Sequence, residues 1–277
     1  MIEQSFQTQI DGGDRFEFGR NWQSFLNTLT EKRIAIAKTS LTTMLECNDL
    51  SNKTLLDIGN GSGLFSLVAR QLGAKVYSFD FDPSSVACAK ELKRRYFIDD
   101  ENWIIEEGSI LNTNYIESLG KFDIVYSWGV LHHTGCMWDA LDNAAIPVKK
   151  GGKLFIAIYN DQGWQSKVWL KVKHIYNSNL IGKTLMTIVF ASLFASMSFF
   201  KDLITLTNPI KRYTQYQLLR GMSLWHDWID WIGGYPFEVA SVNELVSFYE
   251  KKGFKLQVKN ETRYLGCNEL VFERINE

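Results

Sequence analysis

The run Asp57-Ile58-Gly59-Asn60-Gly61-Ser62-Gly63 constrains the fold more than any other stretch of this chain. An apolar segment, Thr54-Leu55-Leu56, leads into it, and Leu64, Phe65, Leu67, Val68 and Leu72 follow at helical spacing. The order is therefore strand, glycine-rich turn, helix. Glycine lets the backbone turn sharply and lets a ligand lie against it, because no Cβ blocks the approach. A second acid, Asp80, closes the next predicted strand, Lys75-Val76-Tyr77-Ser78-Phe79. A glycine floor with a carboxylate beside it to hold ribose hydroxyls is what a nucleoside cofactor needs.

The same alternation continues. Strands are predicted at 53–58, 75–80, 102–107, 122–127 and 153–159, and helices at 31–47, 63–72, 83–96, 112–119 and 137–147. Asp82-Pro83 is a helix start signal, with proline at a first-turn position. Repeated β-α units imply a parallel sheet with helices on both faces. The pattern breaks after Asn160: residues 161–235 show no clear strand and many aromatics. It then resumes with a helix from Ser241 to Lys252, which opens on a serine with Glu244 three residues on. Two strands, Lys255–Lys259 and Glu269–Arg274, have no helix between them and suggest an antiparallel hairpin at the sheet edge. The expected fold is thus α/β, Rossmann-like and doubly wound: a mostly parallel seven-stranded sheet with an antiparallel C-terminal hairpin and a helical insertion.

Composition excludes several classes. A formal net charge of −1 over 277 residues gives no global field to draw in nucleic acid. The four cysteines, Cys47, Cys88, Cys136 and Cys267, form no C-x-x-C pair, so neither a disulfide framework nor a zinc site is expected. No metal site is expected elsewhere. Met1-Ile2-Glu3-Gln4 lacks the charged and apolar regions of a signal peptide. The expected location is cytoplasmic.

A dinucleotide would prefer G-x-G-x-x-G/A, but counting from Gly59 ends on Leu64 and counting from Gly61 ends on Ser66. The pattern present, D-x-G-x-G-x-G, resembles motif I of the class I S-adenosylmethionine-dependent methyltransferases. Asp80 matches the ribose-binding acid of that family. Phe122-Asp123-Ile124-Val125-Tyr126-Ser127 with Val130-Leu131-His132-His133 looks like its fourth-strand motif, and Lys150-Gly151-Gly152-Lys153-Leu154 resembles its L-K-P-G-G turn. The motifs cover 54–160 and 240–275, and the nearest likeness is to ubiquinone-biosynthesis-like small-molecule members. The chain departs from the family at Gly108-Ser109, where Gly-Asp is frequent, and at Lys150, where proline is usual. Serine can still accept a hydrogen bond from adenine, without charge.

The resemblance implies S-adenosyl-L-methionine as cofactor and S-adenosyl-L-homocysteine as product. It implies a lid at 1–50, a cofactor domain at 51–160 and 236–277, and a substrate cap at 161–235. The implied cofactor contacts are Phe18, Trp22, Asp57, Gly59, Asn60, Gly61, Gly63, Asp80, Phe81, Ser109, Ile110, Ser127 and Trp128. Arg15, Phe18, Gly19 and Trp22 either fold over the cofactor or staple the N-terminus to the core. Since an unperturbed imidazole titrates near neutrality, His133 is a candidate general base; the alternative is that the His132-His133 pair comes with the family whatever its acceptor.

Leu224-Trp225-His226-Asp227-Trp228-Ile229-Asp230-Trp231 is the most unusual cluster. Adjacent His and Asp can orient each other, and tryptophans exclude water or stack on a ring. His226 and Asp227 are therefore further catalytic candidates, against the reading of an aromatic packing seam. Substrate contacts are expected from His132, Tyr159, Asn160, Trp225 and Tyr235.

Residues 184–200 carry no charge, yet this run is borderline in length for a membrane span. Small and hydroxyl residues recur along it, which suits a helix packed in a lid or a homodimer interface. Lys167, Lys171, Lys173 and Lys183 before it also suit peripheral contact with the inner membrane surface. The expected activity is O-methylation of a small molecule, such as a sugar or ring metabolite, by in-line displacement. The alternatives are a membrane-associated enzyme acting on a lipid-linked or quinone-like acceptor, and a cofactor-binding module without catalysis.

Overall fold

A computed structural model of the protein describes residues 5–19, 22, 26, 29–205, 208 and 224–276; within 224–230 only the side chains of Trp228 and Ile229 are included. The strands are β1 (Thr54–Ile58), β2 (Lys75–Asp80), β3 (Trp103–Glu107), β4 (Phe122–Trp128), β5 (Val148–Tyr159), β6 (Phe254–Asn260) and β7 (Cys267–Arg274). They form one sheet in the order β3-β2-β1-β4-β5-β7-β6. The first five run parallel; β7 is antiparallel to both β5 and β6. The strand order reverses between β1 and β4, so the crevice beyond their carboxyl ends is where such a sheet binds ligands.

The described helices are α1 (Phe6–Asp11), α2 (Glu31–Leu45), α3 (Leu64–Gln71), α4 (Pro83–Tyr96), α5 (Thr113–Ser118), α6 (Met137–Ala145), α7 (Trp164–Ser178), α8 (Leu180–Ile204), α9 (Leu224–Gly233) and α10 (Val242–Glu250). Period-two alternation divides the core. Leu154, Ile156 and Ile158 of β5 face the cluster holding α5, α6 and α10, while Phe155 faces the cluster holding α2, α3 and α4. Start signals read from sequence are in place. Asp82 accepts a hydrogen bond from the Ser84 N–H ahead of α4, and Ser241 and Glu244 close a reciprocal capping box on α10.

Two expectations are redrawn. β5 begins at Val148 rather than 153, because Gly151, with φ +71°, lets the strand bulge against β4 and resume its pairing at Lys153. The segment 1–50 divides: α2 buries Ile34, Ala37, Leu41 and Leu45 in the main core, so only residues before it lie over the crevice. The described part of the insertion is mostly helical. α7, α8 and α9 enclose a small core of their own around Val172, Tyr176 and Ile232, with Trp169, Met186, Phe190 and Phe194 packed against it.

Candidate active site

A cavity of about 1100 Å³ opens at the switch point. Its floor is the turn after β1, from Asp57 to Ser62. Side walls come from Phe79–Asp82 after β2, Gly108–Leu111 after β3, and Trp128–Val130 with His133 and Thr134 after β4. The turn is tied down from below: the Gly59 and Asn60 N–H groups both donate to the Phe79 carbonyl, at 2.8 and 3.1 Å. Gly59 has φ +71°, and a Cβ there would stand 2.4 Å from Val130 Cγ1. Gly61 has φ +51°, and a Cβ there would come 3.2 Å from the Trp22 indole. The floor is therefore shaped by missing side chains.

Two carboxylates line this end of the cavity. Asp80 accepts the Gly61 N–H on one oxygen and the Asp82 N–H on the other, each at 2.9 Å. Burial pushes its pKa up to about 6, against the pull of those two bonds. Asp57 accepts a hydrogen bond from Ser66 Oγ at 2.5 Å; burial and, to a smaller degree, the charge of Asp80 push its pKa up to about 7. Each carboxylate oxygen keeps a second lone pair for a ligand donor. Asn60 adds a buried Oδ1 with no hydrogen-bond partner among the described residues. An orphaned acceptor, two carboxylates and a floor a Cβ would fill fit the amino and ribose donors of an S-adenosyl cofactor.

The N-terminal segment crosses over this floor. Gly19 N–H donates to Asp82 Oδ2 at 2.8 Å, Phe16 N–H to the Tyr235 carbonyl at 2.8 Å, and Arg15 Nη1 to the His133 carbonyl at 3.1 Å. The Arg15 guanidinium lies 5.1 Å from the centre of the Phe81 ring. Phe18 lies 4.9 Å from His133, ring to ring.

His133 donates Nδ1–H to the Pro236 carbonyl, 2.5 Å away, because a carbonyl can only accept. That leaves the lone pair on Nε2. Burial pushes its pKa down to about 3, partly offset by the Pro236 bond, so the ring is neutral at pH 7.

Past His133 the same cavity has aromatic walls, Tyr159, Trp169, Phe194, Trp228 and Trp231, forming a chamber with Lys201 and Cys267 also on its wall. Sequence reasoning did not single out Trp169, Phe194, Lys201, Cys267 or Tyr126. Tyr126 carries a buried hydroxyl without a partner among the described residues. Cys267 reaches the chamber because it pairs with Tyr159 in the β5–β7 ladder, a register that is not written in either strand alone.

Phe18, Trp22, Asp57, Gly59, Asn60, Gly61, Asp80, Phe81, Ser109, Ile110, Trp128, His133 and Tyr159 line this one cavity. Five expected contacts do not. Gly63 caps α3, with its free side against Ala89. Ser127 turns into the sheet and donates to the Ile58 carbonyl at 3.1 Å. His132 is fully buried, accepting the Tyr159 N–H at 3.3 Å. Asn160 is spent on the Thr262 carbonyl and Asn268, both at 3.1 Å. Tyr235 packs 5.6 Å from His174. The side chains of Trp225, His226 and Asp227 lie outside the described residues.

The family described as methyltransferase domain matches residues 29–206. Over 121 residues the chain is 32% identical to a ubiquinone biosynthesis O-methyltransferase of Bradyrhizobium sp., covering 43% of this chain and 44% of that protein. Over 109 residues it is 33% identical to a tRNA U34 carboxymethyltransferase of Colwellia psychrerythraea, covering 39% of this chain and 33% of that one. The chain thus spans less than half the length of these curated relatives. The magnesium protoporphyrin IX methyltransferase of Synechocystis PCC 6803, solved with S-adenosylhomocysteine bound, shares the fold at a TM-score of 0.52 and 14% identity, over 87% of this chain and 83% of that one. The chain belongs to the methyltransferase-domain family, among the class I S-adenosylmethionine-dependent methyltransferases.

Proposed function

We propose that this protein transfers a methyl group from S-adenosylmethionine to an oxygen of a small acceptor with a ring or apolar body. The observation that carries this reading is the continuity of the cavity, which joins the Gly59–Gly61 floor and Asp80 to the Tyr159–Trp169–Trp231 chamber past His133. The ubiquinone O-methyltransferase relative supports an oxygen on a ring as the acceptor type.

The cofactor, when bound, supplies an electrophilic methyl group on a positively charged sulfur. The chain's residues hold and align the partners. Asp80 takes the ribose hydroxyls, Asn60 Oδ1 takes a donor, and the glycine turn lets the backbone approach. The segment bearing Arg15, Phe16 and Phe18, together with α7–α9, keeps water from the reacting oxygen. As the oxygen attacks, its O–H becomes strongly acidic, so His133 Nε2 takes the proton even with its basicity lowered by burial, and the Pro236 carbonyl holds the imidazolium through Nδ1–H. Asp57, Asp80 and Asp82 all lie on the cofactor side and Lys201 is the charged group on the chamber wall, so the chamber favours an uncharged or anionic ring.

The test is transfer of labelled methyl from S-adenosylmethionine to a panel of phenols and hydroxylated amphiphiles, with wild type and His133→Ala. Replacing the base should cut kcat by roughly a hundredfold or more, with S-adenosylhomocysteine affinity kept. Turnover at the wild-type rate in His133→Ala would remove the proposed base.

A further inference from the structure

Helix α8 has two unlike faces. Its inner face packs Met186, Phe190 and Phe194 into the insertion's core, while Phe194, Ser198 and Lys201 reach the cavity wall. Its outer face carries Ile181, Leu185, Ile188, Phe199 and Leu203, each more than half exposed. Three hydroxyls along the helix are spent internally: Thr184, Thr187 and Ser196 each donate to the carbonyl four residues back. α8 is the one described helix long and apolar enough to cross a membrane. Its charge-free stretch, 184–200, is only about 26 Å long at helical rise, short of a hydrocarbon core of roughly 30 Å. Its inner face is also committed to α7, α9 and the cavity, and it holds the buried Asp202. A helix of this kind lies along a surface.

The charges say which surface. Residues 164–204 hold five lysines and one acid, in a chain of net charge −1. The acid, Asp202, and Lys173 are both buried, so the exposed charges of the hairpin are Lys167 and Lys171 on α7 and, on the inner side of α8, Lys183 over the Tyr176 ring and Lys201 at the cavity wall. On α7, Lys167 and Lys171 alternate with exposed Trp164, Val168 and Ile175. A second copy of this chain would bring like charges together. An anionic interface satisfies both the apolar strip of α8 and the exposed Lys167 and Lys171 of α7. Met197 and Lys201 are exposed and also on the cavity wall, so the rim of the chamber belongs to this same helix.

We propose that the α7–α8 hairpin seats the protein on an anionic lipid bilayer, with α8 lying in the headgroup plane and its outer face in the acyl boundary. The test is flotation of the full chain with vesicles of phosphatidylcholine alone or mixed equally with phosphatidylglycerol. The chain floats with the mixed vesicles, and rising salt weakens the association. Ile188→Glu with Phe199→Glu abolishes it, as does the milder Ile188→Ser with Phe199→Ser, while the melting transition and S-adenosylhomocysteine binding stay as in wild type. Lys167→Glu and Lys171→Glu each weaken it about fivefold or more. Absence of flotation with mixed vesicles overturns the proposal, as does unchanged flotation of both outer-face variants. A stable solution dimer that the outer-face variants split into monomers would assign the face to a second copy instead.

Discussion

Gly59→Ala should damage both stability and cofactor binding, and the structure gives the size of the effect. At φ +71° an alanine sits in the left-handed region, at a cost of about 1–2 kcal/mol. Its Cβ would meet Val130 Cγ1 at 2.4 Å, Cγ2 at 2.6 Å and Cβ at 3.0 Å. Since both branches are too close, no rotation of Val130 clears the space. Overpacking of this kind costs a further 1–3 kcal/mol or so, giving about 2–5 kcal/mol in all. Val130→Ala removes both Cγ atoms and leaves the backbone strain. Adding Val130→Ala should therefore return about 1–3 kcal/mol to Gly59→Ala. Urea unfolding of the four proteins measures this coupling, and calorimetry with S-adenosylhomocysteine reads the floor itself. A Gly59→Ala protein within about 0.5 kcal/mol of wild type, or a coupling near zero, would refute the steric reasoning.

Other outcomes follow from the same residues. Burial raises the Asp80 pKa to about 6 in the free protein, and the ribose hydroxyls proposed to bind it would favour its charged form. Below pH 6, S-adenosylhomocysteine binding should weaken and release protons, seen as a buffer-dependent heat at pH 5.5; a heat independent of buffer would place the ribose elsewhere. Asp57 has its folded pKa raised to about 7, so its contribution to stability is full below about 4 and is lost as pH rises through 7. The shift of roughly three units corresponds to about 4 kcal/mol. Asp57→Asn should match wild type near pH 4 and exceed its stability by about 2–4 kcal/mol at pH 8; parallel stability curves would contradict this. His133 is already neutral at pH 5, with its pKa pushed down to about 3. At saturating cofactor and with Asp57→Asn in place, a pH–kcat profile should therefore show no acidic limb near 6.5, and a limb there would mean the ring is solvated.

Much of the fold is legible because each signal is local. Asp82-Pro83 starts α4 at Pro83, Ser241 and Glu244 make their capping box, and β2 spans 75–80 as its pattern predicts. The cofactor floor is legible for the same reason, since the glycines and Asp80 sit at the ends of adjacent strands. What the sequence does not reveal depends on side-chain direction or long-range register. Ser127 and Asn160 stand at strand ends facing the crevice, yet their polar atoms turn to Ile58, Thr262 and Asn268. His132 and His133 are neighbours in sequence, but the short helical turn at 131–133 aims one into the core and the other at the cavity. The aromatic chamber draws on α7, α8, α9, β5 and β7, and no spacing rule brings Trp169, Phe194 and Cys267 together.

The central claim is that the Gly59–Gly61 turn and Asp80 hold an S-adenosyl cofactor. Titrating S-adenosylhomocysteine into the full chain, as wild type and as Asp80→Ala, tests it most directly. The account predicts saturable one-to-one binding by wild type, weakened about tenfold or more when the charged acceptor is removed. No binding by wild type, or equal affinity in the two proteins, would contradict it.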